Sequence, residues 1–208
     1  MPQQAVKRIR RSTEDARAEI LRAAEAALAA KDFTALTVDD VMTGTGMTRS
    51  SFYHYFSGLD ALALGLLEQF EHEIRASVAP WLEDAEEGDP VEATVTHLTE
   101  MFEVMEARRA SVYAVAQAAG GYPTVYEQWQ RRVVDYFVDL TASFIRRQVE
   151  LGRSRADDPE RLARALVLMN NGVANDRMRR DDRTDPRTVA EVVAGVWNAA
   201  IFGLAPGA

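Results

Sequence analysis

Apolar residues recur every three or four positions along most of this chain, and glycine, proline and aspartate separate the runs. Ile20, Leu21, Ala24, Ala27 and Leu28 share one face of a first helix predicted over about 12–30, capped by Ser12 or Thr13. Phe33 and Leu36 close a small core behind it. Val38, Val41 and Met42 form the stripe of a short second helix that opens with Thr37 and two acids, a favourable cap and first turn. Gly44-Thr45-Gly46 breaks that helix, Met47 fills the turn, and Thr48 caps a third helix held down by Phe52 and Phe56. A long fourth helix follows over about 60–81, through Leu62, Leu66, Phe70 and Ile74. Glu86-Glu87-Gly88-Asp89-Pro90 reads as a solvent loop. Beyond it the breakers leave helices over about 90–107, 109–119, 123–151, 158–180 and 187–203, with Asp158-Pro159 and Asp185-Pro186 as cap and first-turn pairs. The expectation is an all-α protein of nine helices: an N-terminal head within 1–59 and a larger body over 60–208.

Composition narrows this picture. The chain has 208 residues, seven prolines and no cysteine, so no disulfide framework or thiolate metal site is available. Charge interrupts every apolar run well before the roughly 18 residues a membrane span needs. No membrane partner is predicted, and a cytoplasmic location is expected. The net charge of −8 is unevenly spread. Residues 1–60 hold eight basic and eight acidic side chains, so the whole deficit falls in 61–208. Lys7, Arg8, Arg10 and Arg11 make residues 1–11 a basic arm of charge +4, as phosphate binding favours.

Between Thr37 and Asp60 lie two short helices joined by a glycine turn, the second polar outside and aromatic inside. That is the layout of a helix-turn-helix whose second helix enters the major groove. Thr37, Val38, Val41, Gly46, Met47, Thr48, Phe52, Tyr53, Tyr55, Phe56, Asp60 and Leu62 fall in register with a known pattern. The segment resembles the DNA-binding domain of the TetR family of bacterial transcriptional repressors. Met42 and Thr45 stand where that family usually has alanine, and Leu59 where it usually has a phosphate-contacting lysine. The resemblance implies DNA contact by Thr37, Thr48, Arg49, Ser50, Tyr53, His54 and Tyr55. Arg49 and Ser50 are expected at base edges, Tyr53 and Tyr55 at phosphates.

No catalytic constellation stands out. His54, His72 and His97 are scattered, Ser111, Ser143 and Ser154 lack a nucleophile-elbow setting, and the acids around His72 read as a solvated helix face. No enzyme activity, metal site or cofactor is predicted. The body is nevertheless rich in aromatic and thioether side chains, and Asn170 lies inside an apolar run where a buried amide needs a partner. Segments 115–119, 165–170, 196–197 and 201–203, with Trp129, are similar to a TetR-family repressor whose body holds a long, narrow apolar channel. That resemblance implies a ligand site lined by Phe102, Met105, Trp129, Val133, Tyr136, Asn170 and Trp197. Leu162, Leu166 and Val173, with Val189, Val193, Val196 and Ala200, are expected to form the dimer surface. The function expected is a homodimeric, ligand-responsive regulator, in the main a repressor. It binds a palindromic double-stranded DNA operator and is released by a hydrophobic small-molecule effector. The alternative is a small-molecule-binding or carrier protein whose head no longer binds DNA.

Overall fold

The computed structural model describes residues 12–84 and 90–203. The basic arm at 1–11 and the acidic loop residues 86–89 lie outside the described residues. Among those described there are nine α-helices, one short 3₁₀ turn and no strand.

Helix α1, Thr13–Leu28, starts in a capping box. The Asp15 N–H donates to Ser12 Oγ at 3.0 Å, and the Ser12 N–H returns to the Asp15 carboxylate at 3.3 Å. Its buried face, including Ile20, Leu21 and Ala24, meets α2, Val38–Thr43. The 3₁₀ turn Phe33–Ala35 lies between them, and α3 is Arg49–Tyr55. Phe52 and Phe56 are buried with centroids 5.6 Å apart, each stabilising the head by about 1.5–3 kcal/mol through burial. Helix α4, Leu59–Asp84, carries Gly65 where it crosses α1. A Cβ there would sit 2.9 Å from Leu21 Cδ2 and 3.1 Å from Phe56 Cε1, so any larger residue would have to push these core side chains aside.

Beyond the head, α5 is Pro90–Ala107 and α6 is Arg109–Gly121. Helix α7 runs over 123–150 as Pro123–Trp129, a π-helical stretch Gln130–Asp135, and Tyr136–Glu150. Helices α8, Pro159–Arg179, and α9, Pro186–Phe202, follow. Both begin as the Asp-Pro pairs predict: Asp158 accepts from the Arg161 N–H at 3.0 Å, and Asp185 from the Arg187 N–H at 3.0 Å. Helix α9 ends at Gly203 in the left-handed conformation. Helix α4 is the central post, packed on α5, α6 and α7, while α9 lies along α5 and α8 along α7.

Only part of the expected dimer surface is open: Val196 and Ala200 are exposed, and Leu162, Val173 and Val189 are half-buried. Val193, Ala190 and Ala194 are buried within the protomer, where α9 packs on α5, and Leu166 is buried too. The apolar face left open is Val192, Gly195, Val196, Ala199 and Ala200 on α9, with Leu168 and Gly172 on α8. Helix α9 is apolar on two adjoining sides, and periodicity alone does not say which one faces its own core.

Candidate nucleic-acid interface and ligand pocket

The head presents α3 through an ordered turn. Gly46 has φ +63°, the left-handed conformation the turn requires. Thr45 is buried, and its hydroxyl donates to the Met42 carbonyl at 2.9 Å and accepts from the Met47 N–H at 3.1 Å. The threonine at this position thus fastens the turn with its own hydrogen bonds. Thr37 forms a second capping box with Asp40. Hydrogen bonds from Lys31 and Thr37 hold the Asp40 carboxyl at about 2. Thr48 occupies the cap position of α3 but does not cap it through its side chain. Its hydroxyl lies 3.0 Å from those of both Ser50 and Ser51 instead, a correction to the sequence expectation.

Thr48, Arg49, Ser50, Tyr53 and His54 are all exposed on α3, whereas Tyr55 is half-buried against the core with His54 edge-on at 4.9 Å. Thr37 is exposed but its hydroxyl is committed to Asp40 at 2.7 Å. Arg49 is paired across the turn with Asp39 at 2.5 Å, both side chains more than half exposed. Hydrogen bonding to Asp39, then to Tyr53, raises the guanidinium above its ordinary value, so it stays cationic. Leu59 packs against the core at the start of α4 and offers no charge to a phosphate.

In the body, a cavity of about 40 Å³ is lined by α4, α5, α7, α8 and α9. Phe70, Ile74, Val78 and Leu82 form its α4 wall; His97, Met101 and Met105 line it from α5; Val133, Phe137 and Thr141 from α7. Asn170 sits opposite with its amide partnered: Trp197 Nε1–H donates to Oδ1 at 3.1 Å, and Nδ2 points at Met101 Sδ at 3.8 Å. No charged side chain lines the cavity.

Residues 94–203, more than half of the chain, match the C-terminal domain of the transcriptional regulator EthR, and residues 20–66 match the tetR family of bacterial regulatory proteins. The chain belongs to the TetR family of transcriptional regulators, in its EthR group. The EthR regulator of Mycolicibacterium smegmatis is 26% identical over 199 residues, covering 95% of this chain and 91% of that protein. Among solved structures, the TetR-family regulator PfmR from Thermus thermophilus superposes with a TM-score of 0.71 at 20% identity, over 88% of this chain and 98% of that one. A complex of SmeT with triclosan superposes at 0.67 and 21% identity, over 88% and 90%. These neighbours have the same fold.

As a TetR-family regulator the protein has a pocket in the body, but its lining differs from the predicted set. Met105, Val133, Asn170 and Trp197 meet at the cavity. Trp129 stands behind its wall, stacked on Phe70 with centroids 5.9 Å apart. The Tyr136 ring lies under the Arg75 guanidinium at 3.8 Å, and Phe102 is buried with Arg177 5.8 Å away. The α4 wall, Phe137, Thr141 and His97 went unpredicted. A four-residue period on α4 looks like ordinary core, but His97 carried a signal, one turn before Met101 on an apolar stripe. Among the described residues no group of three or more His, Asp or Glu is placed to hold a metal, and no helix is long and apolar enough to cross a membrane.

Proposed function

We propose that this regulator is a cytoplasmic homodimeric repressor, with residues 1–59 as DNA-reading head and 60–208 as sensing and dimerising body. Helix α3 enters the major groove of each half of a palindromic operator. Thr48, Arg49, Ser50, Tyr53 and His54 face the DNA, with Thr37 and Tyr55 at its margin. Leu168, Val192 and Val196 meet their copies across the twofold. An apolar small molecule in the body cavity releases the operator; SmeT, a protein of the same fold, forms a complex with triclosan.

The observation that carries this reading is the position of the cavity, against the helix that bears the head. At about 40 Å³ it is far below the roughly 300 Å³ and upward of a ligand pocket, so a bound effector must spread α4 from α5 and α7. The displaced helices are tied to the head. Arg108, at the start of α6, binds Glu25 of α1 at 2.9 Å and also Glu73 of α4. Ser111 donates to Glu25 at 2.8 Å, and Gln117 of α6 accepts from the Phe33 N–H at 2.7 Å. The effector acts because it binds the spread conformer more tightly than the DNA-competent one. Arg108→Met is expected to keep operator affinity within about threefold while impairing release. Mobility-shift titrations with an amphiphile present and absent check this; unimpaired release would remove Arg108 from the coupling.

Selection of bound DNA from a random pool tests the operator assignment. A symmetric consensus is expected, and Arg49→Ala should relax it at one position per half-site, by roughly 1–3 kcal/mol for a bidentate contact. Asp39→Asn should instead tighten binding to all sequences, because it removes a carboxylate that competes for Arg49 and repels phosphate. An unchanged consensus in Arg49→Ala would reassign base reading. Leu59 favours the second reading, a ligand carrier with an idle head; failure to select any DNA would support it.

A further inference from the structure

One end of the cavity is built differently from the rest. There His97 is 2% exposed, its ring stacked on Trp81 with centroids 4.2 Å apart. Its Nδ1 has no hydrogen-bond partner in the protein, although buried polar atoms are nearly always paired. Thr141, 1% exposed, lines the cavity from α7, and both residues belong to the wall. Asn170 differs, since Trp197 occupies its oxygen and Met101, one helical turn along α5 from His97, faces its nitrogen.

We propose that the effector is an elongated apolar molecule ending in a hydroxyl, and that this hydroxyl hydrogen-bonds His97 Nδ1 in the cavity. The inference rests on the reading of the cavity as the effector site. Charge selects against the other common head groups. No charged side chain lines the wall, so a carboxylate or ammonium would be buried without a counter-ion. Burial lowers the His97 pKa to about 3, so no imidazolium waits there at neutral pH. A neutral imidazole has one donor and one acceptor nitrogen, and a hydroxyl, being both, satisfies Nδ1 in either tautomer. An ether or ester only accepts. Length follows from the α5 wall: His97 to Met105 spans about 12 Å along the axis, which suits a chain of roughly ten carbons.

The test uses the full-length protein with three probes of equal length, 1-decanol, 1-fluorodecane and decanoate, measured by displacement of a fluorescent fatty probe at pH 7. The proposal expects the decanol-to-fluorodecane affinity ratio to fall roughly three- to tenfold in His97→Leu, the range for one neutral hydrogen bond. Asn170→Leu should leave that ratio unchanged, and decanoate should bind more weakly than decanol. A readout that needs no variant is the imidazole ¹⁵N spectrum of wild type. Decanol should shift the Nδ1 resonance of His97, and fluorodecane should not. A ratio unchanged in His97→Leu, a ratio that moves only in Asn170→Leu, tighter binding of decanoate, or an unmoved Nδ1 resonance each overturns the hydroxyl assignment while leaving the cavity as a site. If neither decanol nor fluorodecane binds wild type, the effector-site reading fails first and this inference with it.

Discussion

The double substitution Val192→Arg, Val196→Arg is expected to yield a folded monomer that binds the palindrome at least about 100-fold more weakly than wild type. Both valines are exposed on the protomer, 71% and 47%, so the new charges cost little in the isolated chain. Across a twofold they would set four guanidinium groups against one another, and Glu191 on the same face is already paired with Arg187 at 3.2 Å. A monomer engages one half-site, and the avidity lost on uncoupling two linked sites is commonly 10²–10⁴. Val193→Arg makes the contrasting control. Its side chain is 3% exposed against α5, so it should unfold the protein rather than split it. Sedimentation velocity and mobility shift on one sample separate these outcomes. A double variant that still sediments as a dimer would move the interface elsewhere.

The second large effect concerns acid. Burial lowers the pKa of His97 to about 3, against an ordinary value of 6.5. Below pH 6.5 the unfolded chain takes up a proton that the native state refuses, which favours unfolding. The contribution is therefore fully present above about pH 6.5 and is lost as pH falls toward 3. It amounts to about 3 kcal/mol by pH 4 at 1.36 kcal/mol per pH unit. Carboxylates add to the same slope, among them Glu73, whose pKa the hydrogen bond from Arg108 lowers. Urea melts of wild type and His97→Phe at pH 7 and pH 4 isolate the histidine share. The variant should lose clearly less stability over that interval; equal losses would mean that His97 protonates in the folded state.

The head was legible in the sequence because each of its features is local. A capping box, a glycine with positive φ and a pair of phenylalanines four apart each act within a few residues. What decides the body is not local. Val192 and Val193 are neighbours of the same chemistry, yet one is open and one is core, because α5 covers a single side of α9. The Arg49–Asp39 pair spans a turn whose geometry no periodicity supplies. Asn170 was recognisable as an amide in need of a partner; that the partner is Trp197 depends on how α8 meets α9.

The π-helical stretch Gln130–Asp135 gives α7 one residue more than an α-helix would use over the same rise. Trp129 and Tyr136 flank it and neither lines the cavity, while Val133 within it and Phe137 just beyond it do. A relative whose seventh helix is regular at this point must therefore be aligned with a one-residue gap somewhere in 130–135. Without that gap, equivalent positions on the far side are mistaken by about 100° of rotation, enough to exchange a wall residue for its neighbour. Correspondences carried along α7 from such a relative hold only within one half of the helix, and each half has its own register.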